Sequence, residues 1–503
     1  VNGARSSSRR QGNKIKNKIL AAKSEPYRDR TSTRGQSWRL NLFVETGFHL
    51  TTQTATVEIT ENRRSLESIA VGATAWTIIA YGSGQALRVV NSLLLSRLLA
   101  PDSFGLMTLV TTFIIGVTLL SDLGLQEGIV QNARGDDPVL LNTAWTLQAL
   151  RGASIWLMSC LLAWPVSRFY HQPHLLALLP ALGFGSALNG LWSTNLLSLG
   201  RHLNVKRLYA LDLAMQVFQC FVTIVWAYFF PSVWALLGGT LASYGMKLLV
   251  SHTQAVVPGI RNRFMWDKPS AKSLIHFGRW ILFGTAAFFF ASQADRLILG
   301  KLVDIGLLGV YGIAFSISDI PRQVILMFCS RVGHPFIVKL VNRPRDEFRA
   351  IFLQYRFYVL SVGALLLALV TIAAGPLLLK LYDSRYREAA WMIPILALGL
   401  WHTLLYSTLK PALYSVGKTN YNAIGNGLYL ASTLLFLPIG FRLWGMPGAV
   451  VAVAAADFPL YVVNSYGAFR EGVSSWAQDL KATGVFISLL LVGTALRMYL
   501  VAR

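Results

Sequence analysis

The sequence predicts an all-α polytopic membrane protein. Its expected plan is two six-helix lobes in a pseudo-twofold, parallel-repeat arrangement around a central cavity, with one or two extra C-terminal helices. Three observations lead there. First, the chain has 503 residues, of which 54% are hydrophobic, and a mean hydropathy of +0.48. Its apolar residues are clumped into runs of roughly 20, the length of helix that crosses a bilayer core. Second, the sequence lacks the alternating strands of about ten residues that a membrane barrel uses. Helices are then the way to satisfy every backbone group in lipid. Third, the chain matches itself when displaced by 204 positions: Trp76 falls on Trp280, Arg97 on Lys301, Gly105 on Gly309, and Leu93, Leu95 and Leu98 on Leu297, Leu299 and Leu302. Repeats of this kind build the two halves of many transporters.

Taken in order, residues 1–66 form a polar, basic tail with runs such as Ser6 to Arg10 and Lys14 to Lys18. The tail carries no apolar signal segment, and its composition predicts disorder on the cytoplasmic side. The first residue is Val1 and no methionine precedes Met107, which predicts a GTG start or a start placed too far upstream. The N-lobe, residues 67–252, holds spans 71–98, 105–130, 141–164, 175–198, 208–230 and 233–252. A basic linker, 253–277, carries Arg261, Arg263, Lys268 and Lys272. The C-lobe, 278–503, holds spans 278–300, 305–330, 353–380, 389–414, 420–441 and 445–467, and a further helix at 482–500. An even number of spans per lobe leaves both lobes in one orientation, as a parallel repeat requires.

Orientation follows from the loop cations. One set of loops holds Arg134, Arg201, Lys206, Arg207, the four linker cations, Arg331, Lys339, Arg343, Arg345, Arg349, Lys418, Arg470 and Lys481; the other holds Arg97, Arg168, Lys301, Lys380, Arg385, Arg387 and Arg442. The richer set and the basic tail lie on the same side, which predicts a cytoplasmic N-terminus. The net charge of +23 is then a membrane-surface property, and no nucleic-acid partner is expected. Cys160, Cys220 and Cys329 lie in or beside apolar runs, with no disulfide or metal spacing. Ser415 to Thr419 resembles the end of a phosphate-binding loop, but Ala412 stands where the pattern needs glycine. Neither a cofactor nor an ATP site is expected.

Ionisable groups inside a span are costly in lipid and point to a cavity or a partner. Arg88, Arg151, Arg322 and Lys410 are the candidate substrate-binding cations. Asp122, Asp295, Asp319 and Asp457 are candidates for coupling or gating, and Glu127 lies near the membrane surface. Arg88 and Arg151 have no acid one turn away, whereas Asp319 and Arg322 are spaced to pair on one face. Lys410 and Arg296 have the alternative of snorkelling to an interface. Adjacent on one helix, Asp295 and Arg296 should point in different directions. A basic cavity suits a phosphate or pyrophosphate head group. Trp401, His402 and Tyr406 could stack on sugar rings or simply pack. Pro394, Pro411, Pro438, Pro447 and Pro459 allow bends in the last third.

Several segments carry a resemblance. Leu98-Leu99-Ala100-Pro101 with Phe104-Gly105, Asp122-Leu123-Gly124 and Gln131, then Phe277-Gly278, Gln293-Ala294-Asp295-Arg296, Leu299-Gly300, Gly309-Val310-Tyr311 and Gly417-Lys418 with Asn420, resemble Wzx-type polysaccharide transport proteins. These are the flippases of O-antigen, capsule and exopolysaccharide repeat units. The resemblance covers roughly residues 70–470 and is carried by the order and spacing of the motifs; the long tail departs from it. It implies a non-enzymatic transporter of the bacterial inner membrane that works by alternating access. Its cargo would be a polyprenyl-pyrophosphate-linked oligosaccharide, and its partners lipid, a polysaccharide polymerase and glycosyltransferases. The lipid tail would stay in the bilayer through a gap between the first and eighth spans. Two rival readings stand beside this: a cation-coupled small-molecule or drug exporter, and a membrane polysaccharide polymerase or ligase. The short outer loops argue against the second.

Overall fold

The computed structural model describes residues 81–501, apart from 123, 126–128, 130–134, 202–204, 255, 258, 334–336, 338–339, 341–343 and 416. The basic tail, the start of the first expected span (71–80) and Glu127 therefore lie outside the described residues. From 81 onward the described residues are helices joined by short corners and one longer linker between Ser251 and Lys268, with no strand among them.

The first described helix, α1, runs over 81–98. A two-residue corner leads into α2 (Pro101–Leu120), where Pro101 fixes the backbone at a position whose N–H has no helical acceptor. Helix α3 (Pro138–Tyr170) starts the same way behind Asp137, whose carboxylate accepts from the Val139 amide at 3.0 Å. Helix α4 (Leu175–Gly190), the short α5 (Asn195–Arg201), α6 (Val205–Phe229) and α7 (Val233–Ser251) complete the first half. Helix α8 (Lys268–Leu302) is capped by Asp267, and α9 (Ile305–Ser318) by Asp304.

The expected span 305–330 is not one helix. It breaks at Asp319-Ile320-Pro321 and resumes as α10 (Ile320–Phe328), because Pro321 cannot donate the bond that would continue α9. Helices α11 (Arg345–Leu381) and α12 (Ala389–Ser415) follow, the latter running through both Pro394 and Pro411. Helix α13 (Asn420–Ala455) kinks at Gly445, whose φ of 62° is open to glycine. A second Asp-X-Pro break, Asp457-Phe458-Pro459, starts α14 (Phe458–Arg470), and α15 (Trp476–Val501) closes the chain. Among the described residues, eight helical segments are long and apolar enough to cross a membrane, one of them the composite Asn420–Arg470, and two more apolar helices are shorter.

The largest core joins the two halves, with Leu109 of α2, Leu178 of α4, Leu299 of α8, Tyr311 of α9 and Ile393 of α12 all but sealed from solvent. The outer faces are apolar too: Leu161, Phe221, Leu365, Leu480 and Val492 are mostly exposed. A surface of this kind belongs in lipid. The chain is a multi-pass membrane protein.

The corners at 99–100, 303–304 and 382–388 meet at one end of the bundle, called the far end below. At the other end the linker is laid along α3. The amides of Arg263, Met265 and Asp267 donate to Asn142, Thr146 and Thr143 of that helix at 2.9, 3.0 and 3.3 Å.

The internal match becomes a contact at the far end, where α2 crosses α9. A Cβ added to Gly105 would lie 1.8 Å from the Ile305 carbonyl oxygen; one added to Gly309 would lie 2.1 Å from that of Pro101. Under the 204-residue displacement Gly309 is the counterpart of Gly105, and Ile305 of Pro101. The contact is reciprocal, as at an interface between two copies of one surface.

Candidate functional site

Beneath this crossing lies a cavity of about 430 Å³. Its walls come from both halves: Arg88 and Ser92 of α1, a hydroxyl ladder of Thr108, Thr111 and Thr112 on α2, Gln293 and Arg296 of α8, and Ser316 of α9. The threonines share one side because residues three and four apart on a helix do. Gly309 and Gly312 let α9 approach closely.

Of the four expected cations, Arg88 lines this cavity. Its side chain is exposed and has no hydrogen-bond or ion-pair partner among the described residues. Arg151 is placed elsewhere. Its guanidinium donates to the Thr118 carbonyl at 2.8 Å, with Asp122 at 3.5 Å. It therefore caps the end of α2, where the last carbonyls have no helical donor. Arg322 is chelated by Asp319, through Nε to Oδ1 and through Nη2 to Oδ2 at 2.8 Å. Lys410 is half-buried, with Nζ 5.0 Å from the centre of the Tyr406 ring.

The acids are all engaged. Asp295 accepts from the Tyr311 hydroxyl at 2.6 Å. At the second helix break, Asp457 accepts from the Thr403 hydroxyl, with His402 Nδ1 3.9 Å away. Asp319 also accepts from Gln323 Nε2 at 2.9 Å. The other end of that amide reaches across to α1: Gln323 Oε1 accepts from Gln85 at 2.7 Å and from Tyr81 at 3.0 Å. These bonds join the first and eighth spans where the resemblance implies a gap. Trp401 is buried flat against Phe486, ring centres 4.6 Å apart, so its role is packing.

The second cavity cation is Arg296, a residue the sequence reading set aside as a candidate for snorkelling. It lies 4.5 Å over the Phe315 ring and donates to Gln293 Oε1 at 2.7 Å. Asp295 comes within 3.9 Å, but its carboxylate is turned to Tyr311, so the neighbours do diverge. The internal match held the signal. Arg296 is the counterpart of Ser92, and Arg88 the counterpart of Ser292. Each half thus places one arginine and one serine a turn apart, in opposite order.

A family model described as "Polysaccharide biosynthesis protein" matches residues 94–391, more than half of the chain. The protein belongs to this polysaccharide biosynthesis family. Among its relatives are the amylovoran biosynthesis protein AmsL of Erwinia amylovora, 23% identical over 54% of this chain and 68% of that one, and the succinoglycan biosynthesis transport protein ExoT of Rhizobium meliloti, 20% identical over 68% of each. The lipopolysaccharide biosynthesis protein WzxC of Escherichia coli is 23% identical over 55% of this chain and 56% of its own length. The fold is that of the lipid II flippase MurJ in an inward closed conformation (TM-score 0.62, 12% identity, 86% of this chain and 100% of that one). It is shared with an inward-facing multidrug transporter of the MATE family (TM-score 0.59, 13% identity, 77% and 94%). These solved structures have the two-lobe fold that the sequence predicts.

Proposed function

We propose that this polysaccharide biosynthesis protein is a flippase. It carries polyprenyl-pyrophosphate-linked oligosaccharide repeat units across the bacterial inner membrane by alternating access, with its N-terminus and linker in the cytoplasm. The observation that carries the reading is a cavity shared by both halves, in which Arg88 and Arg296 face hydroxyl-bearing walls. A pyrophosphate is recognised by such cations through charge-assisted bonds, while threonine and serine hydroxyls match sugar hydroxyls in both donor and acceptor capacity. The binding set is Arg88 with Arg296; Arg322 and Lys410 are cations that become available only if the second half rearranges. Asp122, Asp295, Asp319 and Asp457 serve gating or coupling from outside the cavity wall. The protein works beside glycosyltransferases and a polymerase and performs no covalent chemistry of its own.

The test is flipping of a fluorescent polyprenyl-pyrophosphate oligosaccharide in proteoliposomes. Losing one charge-assisted contact costs about 1.5–3 kcal/mol, so Arg88→Ala and Arg296→Ala should each slow flipping by roughly ten- to a hundredfold. Flipping retained in both variants would discard the site and keep the function. A wild-type protein that moves no glycan but exports organic cations would discard the function.

A further inference from the structure

The last carbonyls of α1 lack helical donors, like those of any helix. They are capped from the other half of the molecule. Arg385 Nη2 reaches the carbonyls of Ser96 and Arg97, each at 3.4 Å, and the Tyr386 hydroxyl donates to that of Leu99 at 3.0 Å. One turn earlier the Tyr382 hydroxyl donates to Ser92 Oγ at 3.2 Å, and in return Arg97 Nη2 donates to the Leu381 carbonyl at 3.1 Å. Tyr386 is fully buried, edge-on to Phe104 at 5.8 Å. Asp383 shapes the segment by accepting from the Arg385 amide and from Arg385 Nε, both at 2.9 Å. Directly beneath is the α2–α9 crossing, where neither glycine has room for a methyl group.

We propose that residues 382–386 are a clasp that caps α1 from across the molecule and holds the cavity shut at the far end, over a seal that requires glycine at 105 and 309. To open at that end, the molecule must uncap α1 and part the two glycines. The purpose of the movement rests on the transporter reading; the clasp itself rests on the geometry.

The test uses full-length protein with Cys160, Cys220 and Cys329 replaced by serine and a single reporter cysteine at Thr111 on the cavity wall. A membrane-impermeant methanethiosulfonate is applied from the far-end side of vesicles. Gly105→Ala, Gly309→Ala and the pair Arg385→Gln with Tyr386→Phe should each raise the labelling rate several-fold. Tyr382→Phe, which removes the bond to Ser92, should act in the same direction. The clasp variant alters no backbone packing, so it reports even where the glycine variants fold poorly. Labelling unchanged in the clasp variant and in Tyr382→Phe would overturn the proposal. The readout needs no cargo: labelling that responds while flipping is absent retains the clasp and removes the flippase, and the reverse outcome removes the clasp alone.

Discussion

Arg356, on α11, is fully buried and yet fully satisfied. Its guanidinium pairs with Asp479 at 2.5 Å and donates to Gln478 at 3.0 Å, Thr408 at 2.9 Å and the Leu405 carbonyl at 2.9 Å. Asp479 also accepts from the Tyr461 hydroxyl at 3.1 Å. The network ties the lipid-facing α15 to α11, α12 and α14. Removing one partner leaves a buried charge, so Asp479→Leu should cost about 3–5 kcal/mol. The double variant Arg356→Met with Asp479→Leu should regain most of that loss in a thermal melt in detergent. Equal destabilisation by the single and double variants would show that the pair is not the tie. Arg88 is the opposite case, a cation without a hydrogen-bond or ion-pair partner among the described residues and facing a cavity. The sequence alone separated these cases poorly. Arg88 and Arg151 look alike in it, each without an acid one turn away. The acid that engages Arg151 lies just past the end of another helix, and only packing reveals it. Arg296 becomes identifiable through its repeat counterpart only once Ser92 is known to line the cavity.

Two elements are broken in the same way, by Asp-X-Pro at 319–321 and 457–459. The prolines were visible, but their effect depends on place. Pro394 and Pro411 sit inside an unbroken α12, while α13 kinks at Gly445 with its positive φ. At the first break Gln323 is oriented by chemistry: a carboxylate only accepts, so the amide nitrogen faces Asp319 and the oxygen faces Tyr81 and Gln85. Gln323→Leu should therefore loosen α1 from α10. Spin labels on the two helices at that end should give a longer or broader distance distribution, and an unchanged distribution would contradict the bridge. The clasp is a different kind of element, with a charged pair at its surface beside a buried tyrosine. Arg385 holds the Asp383 carboxyl below the usual carboxylate range, first by its side-chain bond and then by its amide. A group with a lowered folded-state pKa contributes above its ordinary value, and the contribution fades as pH falls through the lowered one. Cavity labelling, once scaled for the reporter's own thiolate fraction, should accordingly stay flat from neutral pH down to about pH 5. A rise within that interval would mean that another group fastens the clasp.

For the whole molecule, hydropathy alone revealed the class, because eight long apolar segments cannot be hidden in a sequence. The halves were legible in one faint self-match, and the structure turns that match into a physical crossing of α2 with α9. Hydropathy cannot show which polar side chains face inward, since a helix that is apolar on every side has no marked face. The basic linker fastened along α3 belongs to the cytoplasmic end if the loop cations are read correctly. A reporter fused after Arg470 should then be active only as a cytoplasmic fusion, and one placed after Arg385 only as an external one. The opposite pattern would invert the direction of transport.

Reciprocity at the glycine crossing has a genetic consequence. The two contacts are one event seen from each half, so parting α2 from α9 to admit a methyl at Gly105 also clears the space a methyl at Gly309 would need. The double alanine variant should be scarcely worse than either single one, a pronounced epistasis between residues with no chemistry of their own. In a random mutant library these two positions, far apart in the chain, would behave as a single locus.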